Sequence, residues 1–386
     1  MKNFLRKIKF ILGSSVAIII ITIIKKIYPK DKIITNIFWG SIGHLTIEYD
    51  FFLLKINSMK NPIKVFLFSN IHPNNRVLFD NNKYVRFFIL NNFIFYFIDK
   101  ILIKYKKLFF DCALSSCITH FTLETKPRLF EDVWKQYSKY YVLKKKKKLN
   151  FFRRINFNNK SLINFLSENN VTKKYAVIHI KTLEGNSCAL RTDPLTYIDT
   201  IEYLKKNNFN VIFAGREKMP NLFKKFDVVN YSEWTGANFS NDLQLISNSS
   251  FVLSFASGFS NIPDLFEIPS VYCGSWHLTV PLFSSSTIFL PALLNYKNGK
   301  RLKFKEQVNM FLNNGNNNFS REDVIVVNPS SYEILETTRQ ALEKITINLE
   351  KNDAKIFFKK NFGKHPIYYS EVDISEIFLK NNIDRF

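Results

Sequence analysis

Short, nearly unbroken apolar runs alternate with helix-spaced segments through the middle of the chain. Tyr175-Ala-Val-Ile-His-Ile180 and Phe251-Val-Leu-Ser-Phe255 have strand length and the continuous apolar character of strands buried on both faces. Between them lie Asn210-Val-Ile-Phe-Ala214 and the shorter Asp227-Val-Val-Asn-Tyr231, and Ser270-Val-Tyr-Cys-Gly274 follows Pro269. Asp193-Pro194 predicts a helix start, with Asp as N-cap and Pro at the first helical position, and Leu195, Ile198, Ile201 and Leu204 as its apolar stripe. Asp242–Ser249 predicts a short helix with Leu243 and Ile246 on one face, and another helix is expected to begin near Ser260 or Asn261. Strand alternating with helix is the pattern of a parallel sheet with crossover helices. Ligands of such sheets sit beyond the carboxyl ends of the strands. The loops there hold His179, Lys181, Arg191, Gly215, Arg216, Ser257 and Gly258, a cationic set with glycine and hydroxyl donors that suits a diphosphate.

The N-terminal part reads differently. Residues 1–30 begin with a basic stretch, run apolar from Phe10 to Ile24 and stop at Lys25-Lys26. As a helix that core covers roughly 22 Å, short of the ~30 Å hydrocarbon thickness, unless lysines snorkel from its ends. No small-residue cleavage site precedes Lys25, so the segment reads as an uncleaved membrane-associated helix or as a first helix packed on the N-terminal domain. Ile33–Phe38 predicts a strand, Leu45–Lys55 a helix and Lys64–Phe68 a second strand, with Trp39-Gly-Ser-Ile-Gly-His44 as the glycine loop. That loop would bring Gly43 and His44 to a helix N-terminus, although the residues alone favour a structural turn. The spacing is not G-x-G-x-x-G, so no dinucleotide fingerprint is present. From Asn74 to Tyr141 the aromatic-rich pattern, including Phe87-Phe-Ile-Leu90 and Phe93–Ile98, is expected to be mostly helical. Asp99 and Lys100 interrupt Phe93–Ile103 and exclude a transmembrane helix there.

Lys144–Lys148 with Arg153-Arg154 is the sharpest charge run. It reads as a solvated linker, or as a site of attraction to anionic lipid at about 1 kcal/mol per cation. Asp323–Val327 predicts a last strand, Ser330 with Glu333 a capping box for a helix through Leu342, and Ile374–Leu379 a final amphipathic piece. The expected organisation is a hydrophobic helix over 1–30, a first α/β domain over 31–143, a basic linker over 144–169, a second α/β domain over 170–345 and a helical tail over 346–386.

Composition narrows the classes. A chain of 386 residues with 46% hydrophobic residues can fill two cores, which excludes global disorder. The net charge of +23 invites an anionic partner. Lys, Asn, Ile and Phe are all abundant and all have A/T-rich codons, so part of that excess needs no partner. Aromatics at stacking spacing are not evident in the basic run, which disfavours nucleic acid. Cys112, Cys117, Cys188 and Cys273 lack C-x-x-C spacing, and the six histidines (His44, His72, His120, His179, His277, His365) lack H-E-x-x-H spacing, so no metal is expected. The Ser257 turn has Phe255 where a G-x-S-x-G elbow needs glycine, which disfavours a hydrolase. His179 at a strand end fits either ligand contact or a structural hydrogen bond. Arginines are the costlier choice in this composition, and Arg191 and Arg216 suit bidentate phosphate recognition.

Taken in order, Tyr175–Lys181, Arg191-Thr-Asp-Pro-Leu-Thr-Tyr197, Val211-Ile-Phe-Ala-Gly-Arg216, Asn241-Asp242-Leu243 and Ser257-Gly-Phe-Ser-Asn-Ile-Pro263 resemble a bacterial family of glycosyltransferases found with surface-polysaccharide genes. Trp39–Leu45 resembles that family's first-domain loop and Val327-Asn-Pro-Ser-Ser-Tyr-Glu-Ile334 its closing strand and helix; the resemblance covers most of residues 33–345. It implies an α/β GT-B fold, two Rossmann-like parallel-sheet domains facing a cleft, with the N-terminal hydrophobic helix in addition. It also implies transfer of a sugar from a nucleotide-sugar donor to a glycan or lipid-linked acceptor, with no cofactor and no metal. The donor would meet His179, Lys181, Arg191, Gly215, Arg216, Asp242, Ser257 and Gly258. His44 is the expected general base, with Glu48 in reserve one helical turn further on. The family has His-X-Arg where this chain has His179-Ile-Lys181, which keeps the charge but loses the bidentate fork. The expected location is the cytoplasmic face of the inner membrane, peripheral or N-terminally anchored on an anionic surface. The alternative is a non-catalytic basic protein that binds membrane or nucleic acid.

Overall fold

The computed structural model describes residues 2–35, 64–69, 85–104, 159–172, 174–182, 191–276, 284–307, 323–347 and 372–386, with a few single positions between them. His44, Glu48, the run Lys144–Lys148, and Cys112, Cys117 and Cys188 lie outside the described residues. The chain divides into two compact units, Met1–His120 with Tyr140–Phe151, and Phe121–Lys139 with Phe152–Phe386.

The first unit contains a parallel sheet of β1 (Lys32–Thr35), β2 (Val65–Ser69) and β3 (Val85–Ile89), in that order. Thr46, Tyr49, Asp50 and Leu53 are helical and buried at the i, i+3, i+4, i+7 spacing of a core-facing stripe, as expected for Leu45–Lys55. Phe87–Ile89 corrects an expectation: it is not helical but part of β3, in parallel register with β2 (Phe87 opposite Leu67). A run of Phe and Ile is as good a strand as a helix, and here a non-local partner decides. The helices Lys2–Ile27 and Asn92–Lys104 pack together around Ala17, Phe97, Ile98 and Leu102.

The second unit is built on a seven-stranded, wholly parallel sheet. Its strands are β4 (Tyr175–His179), β5 (Asn210–Phe213), β6 (Val229–Asn230), β7 (Phe251–Phe255), β8 (Ser270–Cys273), β9 (Thr287–Leu290) and β12 (Asp373–Ile374). A separate antiparallel pair is made by β10 (Leu293–Tyr296) and β11 (Val324–Val327). The sheet order is β12-β9-β8-β7-β4-β5-β6. Every residue of β4 and β7 is buried, which is why their apolar runs are nearly unbroken.

Asp193 caps its turn as the sequence predicts, its Oδ1 accepting from the Leu195 N–H at 2.9 Å with Pro194 following. The turn is 3₁₀ over Pro194–Tyr197 before the α-helix Ile198–Lys206. The tighter winding shifts the phase, so Leu195 is exposed and Tyr197 takes the buried place expected for it. Ser330 and Glu333 form the capping box: the Ser330 N–H donates to Glu333 Oε2 at 3.0 Å and the Glu333 N–H to Ser330 Oγ at 3.3 Å. The helix they open runs from Ser331 to Ile347.

Two stretches do more than their expected roles. Helix Lys160–Glu168, within the expected linker, sets Phe165 against Trp234 with ring centroids 4.7 Å apart. The expected tail, in turn, adds β12 to the sheet edge, and Ile374, Phe378 and Leu379 join the main core. Arg385 then donates to the carbonyls of Leu294 (3.1 Å) and Leu302 (3.3 Å) and to Asn295 Oδ1 (2.8 Å).

Candidate functional site

The order of the seven strands locates the site. From β4 the chain moves outward through β5 and β6, returns to place β7 on the other side of β4, and then moves away through β8 and β9. The reversal lies between β4 and β7, and ligands of open parallel sheets bind outside such a reversal. His179 ends β4 and Phe255 ends β7, so the loops after them meet there.

A hydrogen-bonded bridge crosses the reversal. His179 Nε2 lies 2.8 Å from Ser257 Oγ, and His179 Nδ1 lies 3.1 Å from the carbonyl of Ala214, the residue after β5. A carbonyl only accepts, so Nδ1 carries the proton and Nε2 accepts from the serine hydroxyl. His179 therefore ties together the ends of β4, β5 and β7. Burial lowers its pKa to about 4, with the nearby Lys181 charge adding to the depression, so the ring is neutral at pH 7. Phe259 covers it, with ring centroids 4.7 Å apart. Gly215 is required beside it: a Cβ there would lie 2.4 Å from His179 Nδ1, and its φ is +124°.

The loop after β7 is equally fixed. Ser257 Oγ accepts from the Phe259 N–H at 3.1 Å, the Ser257 N–H donates to Ser260 Oγ at 3.2 Å, and Ser260 Oγ donates to the Phe255 carbonyl at 2.6 Å. This turn leads into the 3₁₀ turn Phe259–Asn261 and the helix Ile262–Phe266, as expected near Ser260. Ser257 and Gly258 are half-buried on this rigid turn.

Charged groups surround the bridge. Lys181 is half-buried two residues past β4, and burial lowers its amine pKa while Glu217 opposes that change. Glu217 is buried, with its Oε2 accepting from the Thr182 N–H at 2.6 Å and from Thr182 Oγ1 at 3.2 Å. Arg216 is exposed at the rim. Asp242, in the first turn of helix Phe239–Ser247, accepts from the Tyr231 hydroxyl at 2.9 Å. Burial raises its pKa to about 6 against the lowering effects of Tyr231 and of the Arg216 charge. Arg191 is half-buried; the Thr192 N–H donates to the Lys181 carbonyl at 2.9 Å and Asn328 Nδ2 to the Arg191 carbonyl at 2.5 Å.

Thus His179, Lys181, Gly215, Arg216, Ser257 and Gly258 gather at the carboxyl edge, and Asp242 lies within reach of the Arg216 charge. His179 has both ring nitrogens engaged, so it positions Ser257 and the loop after β5 rather than offering a nitrogen to a ligand. Glu217, Tyr231 and Phe259 were not singled out by sequence. Glu217 directly follows Gly215-Arg216, and a carboxylate just past a strand end was the available signal.

No family model matches the chain, and no curated protein matches it by sequence. Among solved structures it is similar to a glycosyl transferase family 9 protein from Veillonella parvula, with 10% identity, 82% of this chain and 98% of that chain covered, and a TM-score of 0.48. It is also similar to the E. coli ADP-heptose lipopolysaccharide heptosyltransferase II, with 11% identity, 73% and 98% coverage, and a TM-score of 0.43. E. coli heptosyltransferase WaaC, in a structure with ADP, matches at 10% identity, 67% and 92% coverage, and a TM-score of 0.39.

Proposed function

We propose that the chain is a glycosyltransferase that binds a nucleotide-sugar donor at the β4–β7 reversal and transfers the sugar to a surface-glycan intermediate without a divalent metal. The observation that carries this reading is the bridge from His179 to Ser257, set across the strand reversal and flanked by Lys181 and Arg216. The motif order of the sequence supports it. A diphosphate leaving group needs its growing negative charge met by donors fixed beforehand. Lys181, Arg191 and Arg216 supply the cations, and the Ser257–Gly258 turn, locked by its own hydrogen bonds, fixes the backbone beside them.

In the reaction an acceptor oxygen bonds to the anomeric carbon as the bond from that carbon to the diphosphate oxygen breaks. The nucleoside diphosphate leaves with the bonding pair. The acceptor's proton passes to a base, for which His44 is our candidate and Glu48 the reserve. A basic chain at the cytoplasmic face of the inner membrane would meet acceptors carried on lipid.

A thermal-shift screen of the full chain with UDP, GDP, CMP, ADP and dTDP, with and without magnesium, tests the reading. One nucleotide should raise the melting temperature without metal, because a ligand at a hundred times its Kd stabilises by about 2.7 kcal/mol. Arg191→Ala should remove the shift. Lys181→Arg, which restores the bidentate fork, should tighten binding severalfold. A folded sample that responds to no nucleotide would refute the proposal and favour a non-catalytic basic protein.

A further inference from the structure

Over Phe10–Ile24 helix Lys2–Ile27 is largely apolar, and its packed residues there lie along one face. The packed stripe runs through Gly13, Ala17, Ile20, Ile21 and Ile24, at the spacing of one helix face, against helix Asn92–Lys104. Gly13 makes the approach possible, since a Cβ there would lie 2.3 Å from Phe97 Cε2. On the other side Ile11, Leu12, Ile19, Ile23 and Ile27 are each more than half exposed. Phe93 and Tyr96 extend that surface from the second helix, and their rings meet Phe97 edge-on at 4.9 and 5.2 Å.

We propose that this helix pair is a monotopic membrane anchor, lying in the plane of an anionic lipid surface with the exposed apolar face immersed. Extent argues for it first. Phe10–Ile27 is an 18-residue window of mean hydropathy 2.1, about 27 Å long at the helical rise. A monomer rarely leaves so large an apolar surface in water. Charge selects lipid as the occupant. Arg6, Lys7 and Lys9 precede the window, Lys25 and Lys26 close it, Lys30 follows, and the chain as a whole carries +23. Cations beside an apolar face meet anionic headgroups while the face meets acyl chains.

Packing argues against a simple span. A span would surround the helix with lipid on every side, yet its Gly13–Ala17 stripe is filled by Phe97 and its neighbours. To keep that contact, helix Asn92–Lys104 would have to follow it into the bilayer with Asp99 and Lys100, at high cost. In the plane, the contact survives and Tyr96 with Lys100, 5.6 Å from its ring centroid, suits the headgroup level.

The inference deepens the membrane half of the proposed function and does not depend on the donor site. Flotation of the full chain with vesicles tests it. Vesicles of one-third phosphatidylglycerol in phosphatidylcholine should carry the protein, and pure phosphatidylcholine should carry it more weakly. Leu12→Glu with Ile19→Glu, both outside the packed stripe, should lower vesicle affinity at least about tenfold with the melting temperature unchanged. In inverted membrane vesicles from expressing cells, protease should remove an N-terminal tag without detergent. Nucleotide shifts read on the same samples separate a failed anchor from a failed donor site. Protection of the tag until detergent is added would establish a span and overturn the proposal. So would loss of the tag from the mature chain, a detergent-free dimer that buries the face, or no flotation with anionic vesicles.

Discussion

Asp242→Asn should stabilise this protein at pH 7 and do nothing at pH 4. Asp242 is buried enough to lift its pKa from 3.8 to about 6, even though Tyr231 and Arg216 pull it down. Between those values the folded chain holds a proton that the unfolded chain has released, so stability falls as pH rises through that window. At about 1.4 kcal/mol per pKa unit the full loss is about 3 kcal/mol, complete above pH 6. His179 acts in the opposite sense. Its pKa falls from 6.5 to about 4, so below pH 6.5 the unfolded chain gains a proton that the folded chain refuses. Stability therefore falls as pH drops from 6.5 to 4, again by about 3 kcal/mol.

The two contributions nearly cancel in the wild type over pH 4–6.5, and single substitutions expose them. Asparagine mimics the protonated aspartate and still accepts from Tyr231. Relative to wild type, Asp242→Asn should gain about 3 kcal/mol of stability between pH 4 and pH 7. His179→Gln loses packing at every pH, but its deficit should shrink by about 3 kcal/mol as pH falls from 6.5 to 4. Urea denaturation at half-unit pH steps reads both slopes, and the difference from wild type removes contributions from the remaining carboxylates. An Asp242→Asn difference that is flat with pH would mean that Asp242 ionises as in water, and the electrostatic description of the site would be wrong.

Gly215→Ala should cost roughly 3 kcal/mol or more, because the new methyl collides with His179 Nδ1 at a φ of +124°, and urea denaturation measures it directly. A loss below about 0.5 kcal/mol would mean that the loop after β5 does not hold His179 in place. Arg385→Ala takes the guanidinium from the Leu302 carbonyl and the Asn295 amide oxygen, while the Leu294 carbonyl keeps the Leu302 N–H, so a loss of roughly 2–4 kcal/mol is expected in the same assay. Wild-type stability in that variant would deny the C-terminal residues their part in the second core.

How much of this was legible depended on whether local residues or distant partners set each element. β7 was read to the residue, and β4 apart from its last residue, because strands buried on both faces are apolar at nearly every position. Asp193 and the Ser330–Glu333 pair were equally clear, since caps act within a few residues. β3 was not, because Phe87 and Phe88 become a strand only by pairing with β2. β9 and β10 carried no distinguishing pattern, and β12 is two residues long and looked like the start of an amphipathic helix. At the site, charge at strand ends pointed to Lys181 and Arg216. The part played by Glu217, Tyr231 and Phe259 arises from three-dimensional packing, which no local spacing encodes.

The charges at the reversal come in balanced sets, and that balance has a consequence for binding. Glu217 lies within electrostatic reach of Lys181, and Asp242 within reach of Arg216. Cations gathered without carboxylates would repel one another, and the two acids offset that repulsion. The neutral His179 bridge fixes the geometry without adding to the repulsion. Asp242, with a pKa of about 6, is the acid that can leave the balance near neutral pH. When it takes up a proton, Arg216 loses its counter-charge and the site becomes more positive. Nucleoside diphosphate affinity should therefore rise as pH falls from 7 to 5.5, by more in wild type than in Asp242→Asn. The comparison matters because the phosphate also titrates, and that effect is common to both proteins. Isothermal titration at the two pH values gives the ratio directly. Equal ratios for the two proteins would separate Asp242 from ligand binding and confine it to stability.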